Sequence, residues 1–297
     1  MRIAVTGRTG QVVQSLIQRG PQAGATVIAI GRPALDLAWP DGVLAALAEA
    51  RPDCIVNAAA YTAVDKAESD EELAMAVNAE GAGAVAAAAR QLGVPVIQIS
   101  TDYVFDGALP RPWREDDATG PLGAYGRSKL AGERAVAAAH ADHVILRTAW
   151  VYSPFGQNFV RTMLRLARTR EEIGVVADQI GSPTAATDLA DAILSVAAGL
   201  VARPGDGILR GVFHAAGGGE ASWADLARAV FAASRAIGGP AAAVRAIGTA
   251  DYPTPARRPA SSRLDCGLLA QRHGVALPPW RDSLGPCVAA LLAGGEV

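Results

Sequence analysis

The first half of the chain alternates short, uninterrupted apolar runs with helix-length segments, and no other feature limits the fold as much. RIAVT (2–6), TVIAIG (26–31), DCIVNAAA (53–60), PVIQIS (95–100) and HVILRTAWVY (143–152) read as strands. Runs that are apolar at successive positions belong in a sheet covered on both faces. Residues 11–19, 41–51, 68–92 and 125–139 read as the helices between them. Right-handed crossovers then give an open, doubly wound parallel α/β sheet of Rossmann-like type. After about residue 150 the rhythm loosens, with Gly/Pro-rich stretches at 203–207, 217–219 and 238–240. Residues 251–263 hold three prolines and three arginines and suit neither a helix interior nor a central strand. Helices are predicted here at 158–168, 187–200, 222–236 and 283–293.

Composition narrows the function. Of 297 residues, 51% are hydrophobic and 19% charged, enough apolar matter for a sizeable core and too much for a disordered chain. The net charge of −2 leaves no basic surplus for a polyanion, so nucleic acid is excluded as the expected partner. MRIAVTG lacks the long apolar stretch of a leader, and the blandest run, 84–89, is too short to span a bilayer. Three cysteines (Cys54, Cys266, Cys287) show no metal or redox spacing. No membrane association and a cytoplasmic location are the expectation.

Gly7-Arg8-Thr9-Gly10 falls between the first strand and the first helix. Glycine there permits a tight turn and close approach of backbone N–H groups to a phosphate, and the helix start adds a positive dipole end. The pattern departs from a dinucleotide fingerprint at Val13, where a third glycine would serve close helix–strand packing. The second strand ends Ile30-Gly31-Arg32, without the carboxylate that would bind a ribose 2′-hydroxyl. Arg32 suits a 2′-phosphate, which favours NADPH and leaves NADH possible.

Tyr125 and Lys129 are four residues apart on a predicted helix, which puts both side chains on one face. Only two lysines occur in the chain, so about 0.03 such Tyr-x-x-x-Lys pairs are expected by chance. A nearby ammonium, together with the positive nicotinamide of an oxidised cofactor, stabilises tyrosinate, and the expectation is that Lys129 and the cofactor lower the Tyr125 pKa for proton exchange with a carbonyl oxygen. Ser100-Thr101-Asp102 ends the preceding strand, where ligands of open sheets bind; Thr101 is placed to meet a substrate carbonyl and Asp102 a sugar hydroxyl.

These motifs resemble the extended short-chain dehydrogenase/reductases. GRTGQV (7–12), IVNAAAYTAVDKAES (55–69), STDYVFDG (100–107), PLGAYGRSKLAGE (121–133), LRTAWVYS (146–153), DQIGSPT (178–184) and YPTPARRPASSRL (252–264) narrow the likeness to the dTDP-4-dehydrorhamnose reductase family, over nearly the whole chain. The resemblance implies an NADPH-dependent reductase of a nucleotide sugar. Tyr125 would donate the proton, Lys129 would bind the nicotinamide ribose, and Thr101, Asp102, Trp150 and Asn158 would touch the sugar. Gly7, Gly10, Gln11, Val12, Arg32, Asp36, Leu37, Ala60, Tyr61 and Thr62 would hold the cofactor, and Arg258 and Arg263 the diphosphate. The expected domains are an NADP-binding domain over 1–150, with a returning segment near 185–212, and a substrate lobe from 151–184 and 213–297. Some relatives dimerise around a magnesium held by glutamates. Ser15 and Thr187 stand at those positions, so no metal and a monomer or weak homodimer are expected. His140, His143 and the run Glu115-Asp116-Asp117 read as surface residues. A reductase of another dTDP-4-keto-6-deoxy sugar, and a non-catalytic NADP-binding regulatory subunit, remain as alternatives.

Overall fold

A computed structural model describes residues 1–295. Its strands are β1 (Arg2–Thr6), β2 (Thr26–Ile30), β3 (Cys54–Asn57), β4 (Val96–Thr101), β5 (His143–Thr148), β6 (Val151–Tyr152), β7 (Glu172–Val176), β8 (Ile180–Gly181), β9 (Thr184–Ala185), β10 (Gly211–His214), β11 (Ala221–Ser222), β12 (Ala243–Ile247) and β13 (Ser261–Ser262). The helices are α1 (Gln11–Arg19), α2 (Val43–Glu49), α3 (Val64–Ala67), α4 (Glu71–Met75), α5 (Gly81–Leu92), α6 (Ala124–Ala139), α7 (Phe159–Leu166), α8 (Ala186–Ala202), α9 (Trp223–Ala236), α10 (Gly267–His273) and α11 (Trp280–Ala293).

Six strands form an all-parallel sheet in the order β10-β5-β4-β3-β1-β2. Alternation along the strands feeds two cores. Ile3, Val5, Cys54, Val56 and Ile97 join α1 and α8 on one face, while Ala4, Ile55 and Val96 join α2 and α5 on the other. The chain leaves β1 for β2 at one edge and returns to β3 on the other side of β1, so the switch point lies between β1 and β3. A third core, built from α7, α9, α11 and β7, belongs to the smaller lobe. There the short strands form a mixed three-stranded sheet, β11-β8-β13, and two parallel pairs, β12-β7 and β6-β9.

Two predicted elements are divided and a third is longer than expected. The run 143–152 breaks at Trp150, whose φ of +47° ends β5 and redirects the chain into β6. The helix predicted over 68–92 starts at Glu71 and carries a π turn at Ala76–Glu80, between α4 and α5. The helix predicted from 283 begins at Trp280, which is buried in the third core. Among the described residues no helix is long and apolar enough to cross a membrane.

Candidate active site

A cleft of about 730 Å³ opens at the switch point. Gly7 and Gly10, Gly31 and Arg32, Asp36 and Leu37, and Ala58 to Thr62 line it. Gly7 has φ +97°, a backbone conformation that strains a residue with a Cβ, and a Cβ on Gly31 would lie 3.2 Å from its carbonyl carbon. Helix α1 opens at Gly10 without a side-chain cap, so its first N–H groups face this turn free of an intrahelical partner. These features fit a dinucleotide: a tight turn, uncapped donors, and no acidic residue at the end of β2. Arg32 and its neighbour Arg8 are both exposed on the cleft wall. Val13 leaves no packing gap; it is 1% exposed, and its Cγ2 would lie 3.4 Å from a Cβ on Gly7.

The side chains of Gln11 and Val12 turn away from this cleft. Gln11 accepts from the Ser153 hydroxyl (2.9 Å) and donates to the Val151 carbonyl (3.5 Å), while Val12 packs on the first core. Only their main-chain N–H groups remain for a ligand. Leu37 is likewise buried, its carbonyl pressed against Gly81, and Asp36 accepts from the Ala38 N–H at 3.0 Å.

Thr101, Asp102, Tyr125 and Lys129 converge where β4 ends against the first turns of α6. Gly126 allows that approach, since a Cβ there would collide with the Tyr103 carbonyl. Tyr125 lies beside Thr101, whose hydroxyl donates to Asp102 Oδ1 at 2.9 Å. Tyr103 packs edge-on against the Tyr125 ring, centroids 5.5 Å apart. Desolvation by burial pushes the Tyr125 phenol above its ordinary value, opposed by the neighbouring Thr101 and reinforced by Asp102 and Tyr103. Lys129 Nζ donates to the Ile99 carbonyl at 2.7 Å. Burial brings its pKa down to about 8, against the pull of Glu133. Burial also pushes Asp102 up to about 6, although its hydrogen bonds work the other way.

The smaller lobe faces this centre with an apolar cavity of about 360 Å³, walled by Phe159, Met163, Ile173, Val175 and Trp223 and bordered by Arg258. Arg258 pairs with Asp65 (2.9 Å) and donates to the Tyr103 hydroxyl (3.0 Å), which links the cavity to the neighbourhood of Tyr125. The Trp150 ring stacks on Trp223, centroids 3.5 Å apart and planes 7° from parallel. Two expected ligand contacts are engaged elsewhere. Asn158 caps α7, accepting from the Arg161 N–H (3.1 Å) and donating to the Ser153 carbonyl (2.8 Å). Arg263 pairs with Glu220 (3.1 Å) and donates to the Pro110 carbonyl (2.6 Å).

Comparison with known proteins gives this architecture relatives. The model of the RmlD substrate binding domain matches residues 1–293. The chain belongs to that family. A dTDP-4-dehydrorhamnose reductase of Sinorhizobium fredii is 51% identical over 296 residues, covering 100% of this chain and 99% of the relative. The Escherichia coli K12 enzyme of that name is 44% identical, with 95% of each chain covered. The crystal structure of a dTDP-4-dehydrorhamnose reductase from Clostridium acetobutylicum superposes with a TM-score of 0.90 at 36% identity, covering 98% of this chain and 100% of that one. The Bacillus anthracis enzyme, solved in complex with NADP, gives 0.88 at 35% identity, with 97% and 98% covered.

Within this member of the RmlD substrate binding domain family, several residues around the site escaped sequence reasoning. Glu133 is 4% exposed and takes two hydrogen bonds from Arg147 (2.9 and 2.7 Å) and one from Ser100 (2.5 Å). Its signal was available: it follows Lys129 by four residues, and Arg147 is a charge inside an otherwise apolar strand. Asn78, in the π turn, accepts from the Tyr61 N–H (2.8 Å) and donates to Ser128 Oγ (2.9 Å), whose hydroxyl bonds the Tyr125 carbonyl (2.8 Å). Nothing local marks Asn78, because a π turn is set by packing. The surface reading of 115–117 also changes. Glu115 accepts from the His214 N–H (2.8 Å), and Asp117 pairs with Arg111 (2.7 Å). His140 and His143 are half-buried, their rings bonded to the Val94 and His140 carbonyls. Among the described residues no three His, Cys, Asp or Glu side chains cluster as metal ligands.

Proposed function

We infer that the chain catalyses NADPH-dependent reduction of the C4 ketone of dTDP-4-dehydro-L-rhamnose, giving dTDP-L-rhamnose. The observation that carries this reading is the convergence of Thr101, Tyr125 and buried Lys129 at the carboxyl edge of a sheet whose switch point forms a dinucleotide cleft. A bound reduced nicotinamide supplies the hydride. Tyr125 supplies the proton to the carbonyl oxygen as hydride reaches C4, so one ketone becomes one alcohol with a proton consumed. A phenol held above its ordinary pKa is fully protonated at neutral pH, which is the form a donor needs. Lys129, still mostly cationic below pH 8, offsets the charge left on the phenolate. Thr101 fixes the phenol, and Asp102 accepts from a sugar hydroxyl.

The cavity walled by Phe159 and Trp223 suits the nucleobase, and Arg258, between that cavity and Tyr103, suits the diphosphate. Trp150 closes the sugar site from the lobe junction. Gly7, Gly10 and the N–H groups of Gln11 and Val12 hold the pyrophosphate. Arg32 binds the 2′-phosphate, and Ala60, Tyr61 and Thr62 flank the rest of the cofactor. The test is Tyr125→Phe with NADPH and dTDP-4-dehydrorhamnose, followed by NADPH absorbance, with the product of the wild-type protein read by NMR. Removing a general acid lowers turnover by about 10²–10⁴-fold. Turnover equal to wild type, or a different sugar product, would defeat the assignment.

A further inference from the structure

One residue on the wall of the cofactor cleft has no part in the chemistry above. Trp39 lines the cleft and is 79% exposed, the largest exposure of any bulky apolar side chain among the described residues. A single exposed apolar side chain needs no explanation. Its position and its mounting do. The Trp39 N–H donates to the Asp36 carbonyl (3.1 Å), and Asp36 Oδ1 accepts from the Ala38 N–H (3.0 Å). Pro40 follows and confines Trp39 to non-helical backbone, here φ −134° and ψ 81°. Leu35 and Leu37 are buried on either side of Asp36. An ordered stalk thus presents an indole to a cleft whose wall also carries the exposed guanidinium groups of Arg8 and Arg32. A flat π face near two cations matches a ligand with a planar base next to an anionic phosphate.

We propose that Trp39 is the stacking platform for the adenine of the cofactor, while Arg8 joins Arg32 at the phosphate of its ribose. This rests on the NADPH reading. The two contacts divide recognition: the indole acts on any adenine nucleotide, and the guanidinium pair acts only where a 2′-phosphate is present.

The test uses 2′,5′-ADP, which carries the base and the 2′-phosphate without nicotinamide, and NADH, which lacks the 2′-phosphate. Both are titrated into the full chain by calorimetry, and 2′,5′-ADP is followed by tryptophan emission as well. Trp39→Ala weakens both ligands by a similar factor, about 10-fold, as expected for one base–aromatic stack. Trp39→Phe regains most of the affinity yet loses the emission quench that 2′,5′-ADP produces in the wild type. Equal affinity in wild type and Trp39→Ala, or an undiminished quench in Trp39→Phe, overturns the role of Trp39 and leaves the NADPH reading standing. Failure of the wild-type chain to bind either ligand overturns both.

Discussion

Replacing Glu133 with Gln tests how the centre is held. Glu133 and Arg147 are each 5% exposed at the side chain and share two charge-assisted hydrogen bonds, with Ser100 donating a third to the carboxylate. The amide keeps the shape, removes the negative charge, and strands the Arg147 cation among the side chains of the sheet. Breaking a buried pair from one side costs about 3–5 kcal/mol, because the remaining charge keeps its desolvation penalty. For a chain of 297 residues that lowers Tm by roughly 5–8 °C. The double variant Glu133→Met with Arg147→Met removes both charges and recovers most of the loss. A second readout separates this from plain destabilisation. Glu133 pulls the Lys129 pKa upward, so its removal moves that pKa below about 8. The alkaline limb of kcat/KM then shifts to lower pH in Glu133→Gln at temperatures where the protein is folded. Melts within 1 °C of wild type together with an unmoved limb would refute the reasoning, as would a double variant no more stable than the single one.

Two further outcomes follow from buried ionisable groups. Asp102 titrates near 6 when folded and near 3.8 when unfolded, so the folded state holds its proton more tightly. Stability is therefore lost as pH rises through that interval, by about 3 kcal/mol at pH 7, and Asp102→Asn raises Tm at pH 7 but not at pH 4 while raising KM for the sugar. Lys129 titrates near 8 when folded against 10.5 unfolded, so the unfolded chain binds more protons between those values. Relative to Lys129→Met, the wild type gains about 3 kcal/mol between pH 8 and pH 10.5 in urea titrations, and its kcat/KM falls above pH 8; a flat difference would remove the buried ammonium from the account.

Most of the large sheet was legible because a strand covered on both faces must be apolar at successive positions, and β1 to β5 each have that pattern. The motifs near Gly7, Thr101 and Tyr125 were legible for a related reason: ligands of such sheets lie at the carboxyl ends of strands, so residues there can be assigned before any coordinates are known. The small lobe was less readable. Its strands β6, β8, β9, β11 and β13 have two residues each, too short for any periodicity to register. Trp150 was placed at the end of a strand; it has a positive φ, and its ring packs between Trp223 and Gly181, where a Cβ would meet the indole. Asn158 looked available to a sugar because side-chain identity does not reveal that a helix N-terminus already uses it.

By itself, the order of residues determined the doubly wound sheet, the glycine turn at Gly7–Gly10 and the i, i+4 pairing of Tyr125 with Lys129. All three follow from local periodicity and from the stereochemistry of glycine and helices. The tertiary structure decided the electrostatics. Desolvation raises the Tyr125 phenol and lowers the Lys129 ammonium, Lys129 donates to the Ile99 carbonyl, and Glu133, which pulls Lys129 upward, is held by Arg147. The sign of a pKa shift depends on desolvation and on neighbours far away along the chain, neither of which spacing encodes.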